Sequence, residues 1–192
     1  MNATFGWISF AVTFLSYIPY LIDTVKGNTK PERASWFIWA VVGAIFVATQ
    51  TAEGGRESVL LSVAVTVGPI AVLVLSVKYG VGGFLLRDKI ALLFTAAALF
   101  LWYLTDIPAV ALWIAILIDA SAVMLTAIKT YEDPSSELPL FWAAGLFGGI
   151  FSMLAVGSLD VTLLAHPVYF IIHTAMILGI ILYRSHQLKT QA

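Results

Sequence analysis

Residues 16–39 read SYIPYLIDTVKGNTKPERASWFIW: an apolar run that closes on Lys26, a short polar loop around Pro31, and a second apolar run that opens on Ser35. A chain needs ~20 mostly apolar residues to cross a ~30 Å hydrocarbon layer, so two such runs joined by a short polar loop spell a membrane hairpin. The whole chain has the same character. Of its 192 residues 60% are hydrophobic, against ~45–50% in a soluble domain, and 11% are charged, against ~25%. A formal net charge of -1 supplies no field to draw nucleic acid, and no nucleic-acid partner is expected. The apolar content also excludes a disordered chain. With no cysteine, disulfides, thiolate zinc sites, iron–sulfur clusters and cysteine nucleophiles are excluded.

Apolar runs bounded by charges, prolines or glycines predict seven helices, at 5–25, 35–52, 58–77, 89–104, 107–130, 139–157 and 161–183, the fourth being short. The first basic residue is Lys26, so the N-terminus lacks the basic region of a signal peptide and the first helix is expected to stay in the mature chain. Nine of the ten basic residues fall in odd-numbered loops or the C-terminal tail, and only Arg56 in an even-numbered loop. The positive-inside rule then predicts an N-terminus outside and a C-terminus in the cytoplasm, which requires an odd number of crossings. The surroundings expected are a lipid bilayer, that of a cell membrane crossed many times.

An offset of 103 aligns Lys26 with Lys129, Pro31 with Pro134, Trp39 with Trp142 and Thr49 with Ser152; helices 3 and 7 correspond through Pro69 and Pro167 at an offset of 98. The fold expected is therefore all-α and integral to the membrane, with two parallel three-helix repeats joined by a linker helix (3+1+3). Its parts are repeat 1 at 1–78, a linker with helix 4 at 79–105, repeat 2 at 106–185 and a tail at 186–192.

The stretch at 16–39, with its echo IKTYEDPSSELPLFW at 128–142, resembles the PQ-loop motif of the SWEET, PQ-loop and nicotinamide riboside transporter superfamily. KYGVGGFLLRDK at 78–89 looks like the link from helix 3 to helix 4 of bacterial relatives, which implies a bacterial inner membrane. The resemblance implies a 3+1+3 transporter of a small polar metabolite: a sugar, an amino acid or a vitamin-like nucleoside. It also leaves room for a seven-helix receptor or sensor that binds without moving its ligand, since the plan is reused for binding and sorting. Two positions depart from the pattern: Tyr20 replaces the glutamine of the PQ pair, and Ala122 stands where the second repeat should carry its proline.

Polar side chains at helical spacing mark faces turned away from lipid. Ser9, Thr13, Ser16, Tyr20 and Asp23 form such a stripe on helix 1, either as interhelical hydrogen bonds or as a wet wall. Helix 2 carries Trp36, Trp39, Gly43 and Gln50 on one face, and helix 6 carries Trp142, Gly145, Gly149 and Ser152 on the matching one. Trp36 is expected as an interfacial anchor, Trp39 and Trp142 as deeper, repeat-related pocket residues, and Gly145 with Gly149 as a close-packing surface.

Asp119 lies near the middle of helix 5, where an ionised side chain costs at least ~2.5–3.5 kcal/mol. It must be neutral at rest or face a polar partner. By depth that partner is His173, with Tyr169 one turn above. The pair serves either proton coupling or structural glue. His166 and His173 are two turns apart, ~10 Å, and cannot ligate one metal; no metal and no cofactor are expected. Asp106 and Asp160 read as solvated loop charges, and Asp23 as a partner of Lys26 or Lys129. Pro19, Pro69 and Pro167 are candidate hinges. Under the transport reading the solute sits between the repeats, contacted by Ser16, Trp39, Gln50, Asp119, Trp142, Ser152, Tyr169 and His173. Catalysis is not expected: Asp119 has no second mid-helix carboxylate, no G-x-S-x-G occurs, and helix 7 holds no internal lysine for a retinal-type Schiff base.

Overall fold

The computed structural model describes residues 2–83, 85–104 and 107–191. Among them the chain is all helix, without a strand: α1 (Asn2–Lys26), α2 (Arg33–Ala52), α3 (Val59–Tyr79), α4 (Leu86–Tyr103), α5 (Pro108–Glu132), α6 (Pro139–Val156) and α7 (Val161–Gln191), with a 3-10 turn at Pro134–Ser136. Six of these are long and apolar enough to cross a membrane, which makes this a multi-pass membrane protein. The exception is α4, whose first turn holds Arg87, Asp88 and Lys89, so that its apolar part begins only at Ile90. Asp106 lies outside the described residues.

Helix ends follow local chemistry. α1 stops at Gly27, whose φ of +79° a side chain would resist, and α6 stops at Gly157 in the left-handed region. The α2 N-cap is Glu32, whose carboxylate accepts from Ser35 N at 2.6 Å and from the Ser35 hydroxyl at 2.8 Å. That hydroxyl also accepts from Thr126 Oγ1 at 3.0 Å and so ties α2 to α5.

The six long helices form a closed ring of neighbours in the order α1, α3, α2, α5, α7, α6, with α6 returning to α1. α4 lies outside the ring, against α5 and touching α2. Loops gather at one end, called here the loop end. Lys30 N donates to Ser136 O at 3.0 Å, Val81 N to Pro31 O at 2.8 Å, and Arg184 Nε to Tyr131 O at 3.0 Å. At the opposite end the α2–α3 and α6–α7 turns meet, and Ser152 Oγ donates to Ser58 O at 3.3 Å. The outer faces carry exposed apolar side chains such as Leu15, Val74, Leu117, Phe147 and Ile172, a surface suited to lipid.

Glycines let the helices approach. A Cβ on Gly43 would meet Thr66 Cα and Val65 O of α3 at 2.8 Å, and Gly145 and Gly149 face Thr174 and Ile171 of α7, as close packing requires. Gly179 has open space around it. Gly43→Ala should therefore cost ~1–3 kcal/mol through forced separation of α2 and α3, whereas Gly179→Ala should be neutral or slightly stabilising. Thermal unfolding of both variants in detergent checks this.

Candidate functional site

The ring encloses a cavity to which each of its six helices contributes: Thr13, Ser16 and Tyr17 from α1, Trp36, Trp39, Gly43 and Phe46 from α2, and Val65 and Pro69 from α3. α5 adds Asp119, α6 adds Phe141, Trp142 and Gly145, and α7 adds His166, Phe170, His173 and Thr174. The volume open to the centre of a water molecule is about 40 Å³. At ~10–15 Å³ per water, that is room for about three.

The acid faces this space. Asp119 Oδ2 accepts from Tyr169 OH at 2.7 Å, and His173 Nδ1 stands 3.9 Å from the same oxygen. The Tyr169 and His173 rings lie 5.0 Å apart, one helical turn from each other on α7. The expected trio is thus assembled, with Asp119 and His173 on the wall and Tyr169 behind the carboxylate. The Trp39 indole lies beside Asp119 without closing a hydrogen bond. Trp39 and Trp142 meet at 6.1 Å and 65°.

Other expected contacts stand elsewhere. Gln50 is buried behind the wall, where its Oε1 accepts from Ser62 Oγ at 2.9 Å, and Ser62 Oγ is also 3.1 Å from His166 Nδ1. Ser152 is turned to the α2–α3 turn rather than to the cavity. Both share the predicted helix faces but lie too far along them, past the end of the cavity. Pro69 is on the wall; Pro19 and Pro167 lie within α1 and α7 off it. Trp36 is 1% exposed and lines the cavity, so the expectation of an interfacial anchor is corrected: its ring packs on Tyr17, Tyr20, Trp39 and Phe141. Asp23 pairs with neither Lys26 nor Lys129; its carboxylate accepts from Asn28 Nδ2 at 3.4 Å. Asp160 caps α7, accepting from Leu163 N at 2.9 Å.

The loop end of the cavity is sealed. Tyr17, Tyr20, Trp36, Phe141 and Trp142 make ring contacts there, with Tyr20 and Phe141 centred 4.6 Å apart. Behind them sits Glu137, which sequence reasoning missed. It is 4% exposed and accepts from Lys129 Nζ, from Trp142 Nε1 at 2.9 Å and from Tyr20 OH at 3.3 Å. Lys129 also donates to Lys30 O at 2.9 Å, which pins the α1–α2 loop to the α5–α6 loop. The available signal was a lysine and a glutamate flanking the turn at Pro134, at facing ends of two helices. Tyr17, Phe46, Phe141 and Phe170 were also missed; as single aromatics in apolar helices they carry no signal of direction.

No family model, curated protein or solved structure matches the chain.

Removing one partner of a buried ion pair strands the other. Lys129→Met should cost ~3–5 kcal/mol, and the Lys129→Met/Glu137→Gln double variant should be the more stable of the two, because the amide oxygen accepts from Trp142 while the Tyr20 hydroxyl turns to accept from the amide nitrogen, with no bare charge left. Unfolding curves of both variants in detergent measure the difference.

Proposed function

We propose that the chain is a transporter that moves a small polar solute across a cell membrane by alternating access. In this reading α1–α3 and α5–α7 are two parallel units joined by α4, the 3+1+3 plan, and the solute sits between them while one unit rocks against the other. The ring supports it: its neighbour pairs are unchanged when α1, α2 and α3 are exchanged with α5, α6 and α7. The bonds joining the ends of α1, α3, α5 and α7 at the loop end favour parallel units. Basic residues concentrate at that end, which favours a cytoplasmic loop end and an external N-terminus; the resemblance of the α3–α4 link adds a bacterial inner membrane.

One observation carries the reading: the mid-helix Asp119, besides accepting from Tyr169 of α7, opens onto a cavity bounded by all six long helices. An intramembrane acid on a cavity wall, with an imidazole 3.9 Å away, is suited to carry a proton in step with the solute. Trp39 and Trp142, one from each unit, are suited to stack on the solute, with Ser16 beside them. Pro69 on the wall, and Pro19 and Pro167 in α1 and α7, are the places where helices lacking a backbone bond can bend.

The solute is first found by thermal shift with sugars, amino acids, nucleosides and amines, since a ligand stabilises the folded state by mass action. In proteoliposomes Asp119→Asn should then abolish uptake driven by a pH gradient; unchanged driven uptake would remove proton coupling. Trp39→Ala or Trp142→Ala should weaken binding about tenfold, the worth of one aromatic contact, without unfolding the protein. A solute that binds and is never carried across would favour the receptor reading instead.

A further inference from the structure

Among the described residues the cavity wall carries one carboxylate, Asp119, and neither a lysine nor an arginine. Nearby basic groups are engaged elsewhere: Lys129 with Glu137, Arg33 with Ser76 O and Gly82 O, Arg184 with Tyr131 O. Aromatic rings share the cavity wall with the acid, and two pairs of them meet close to right angles, at 87° for Trp36 with Trp39 and 85° for Phe141 with Trp142. Four buried polar atoms of the wall have no partner: Thr13 Oγ1, Trp36 Nε1, Trp39 Nε1 and His173 Nδ1.

Each feature restricts the occupant. A lone carboxylate among ring faces attracts a cation twice, through its charge and through the quadrupoles of the rings. A solute carrying its own carboxylate or phosphate would meet Asp119 with no basic group to compensate, so acids and amino acid zwitterions are disfavoured. Two indole N–H groups without partners call for an oxygen acceptor. Room for about three waters calls for a compact body.

We propose that this cavity binds a compact organic monocation: a protonated or quaternary amine with one hydroxyl or carbonyl oxygen and no acid group. The ammonium sits against Asp119 among the tryptophan faces, and the oxygen takes an indole N–H. The proposal deepens the transport reading and rests on it for flux alone. Because one carboxylate cannot hold a proton and the cation together, loading is an exchange that releases one proton. The other titratable groups facing Asp119 are Tyr17 of α1 and Tyr169, His173 and, farther off, His166 of α7. α2 presents only the Trp39 indole, and the charges of α4 lie on its first turn, at the loop end beside Glu132.

The test uses tryptophan fluorescence of the full chain in detergent, titrated with tetramethylammonium, ethanolamine and choline, with 3,3-dimethylbutan-1-ol as the neutral isostere of choline and glycine betaine as its acid-bearing analogue. Choline should bind saturably, at least about tenfold more tightly than the isostere and betaine, and its affinity should fall about tenfold per pH unit on the acid side, the slope of one competing proton. Asp119→Asn should erase the preference for choline over the isostere; if that variant does not fold, the comparison on the parent chain decides. No saturable binding of any of the three amines, or equal binding of choline and its isostere, overturns the proposal whatever the chain transports. In proteoliposomes an inward choline gradient should drive protons out, read by an entrapped pH dye. Selective choline binding with no movement of choline or protons would uphold the cation site and overturn transport.

Discussion

Hydrocarbon offers no hydrogen bonds, so every polar atom that enters the layer must find its partner inside the protein or line a wet space. Nearly all of the internal architecture follows from that constraint. Ser9 donates to Gly148 O, Gln50 and His166 meet through Ser62, Lys129 is matched to Glu137, and Asp119 to Tyr169. These contacts need backbones close enough for short side chains to reach, which is the service of Gly43, Gly145, Gly148 and Gly149 at the helix crossings. The apolar side chains excluded from the interior are left on the outside, where a bilayer accepts them.

The two ends of the cavity are built differently. At the loop end, aromatic rings and a buried ion pair lock α1, α5 and α6 together through two loops that also bond each other directly. At the opposite end there is no ion pair among the described residues: Ser62 of α3 joins Gln50 of α2 to His166 of α7, Ser152 reaches the α2–α3 turn at 3.3 Å, and a polar depression lies between Gly54, Arg56, Glu57 and Leu163. On the transport reading these are unequal gates. Opening the loop end would separate packed rings and expose a paired lysine and glutamate to water, where their mutual attraction falls steeply.

What the sequence disclosed was direction, and what it withheld was extent. Helical spacing put Asp119, Tyr169 and His173 within reach of one another, and the alignment at an offset of 103 paired Trp39 with Trp142, which meet at 6.1 Å. The same spacing put Gln50 and Ser152 on the correct faces, yet neither reaches the cavity, since its length along a helix is set by side chains from other helices. Glu137 was invisible for a related reason. A loop acid looks solvated until two loops fold onto each other, and only then does a buried lysine give it a role. Lys26 and Lys129 align at the offset of 103, yet the first is exposed and the second is 5% exposed.

The division of labour between the halves gives the cavity its chemical sense. α1 to α3 supply Tyr17, Trp36, Trp39 and Phe46, a wall of rings without a carboxylate or an imidazole, while Asp119, His166 and His173 all come from α5 and α7, beside Phe141, Trp142 and Phe170. A solute that satisfies both walls must present an apolar or cationic surface to one side and a charge or proton donor to the other. Rocking one half against the other would change the distance between rings and carboxylate, so the solute's affinity would differ between the two arrangements. That difference in affinity is what allows binding to bias a conformational equilibrium, and a proton on Asp119 would bias it by altering the same contact.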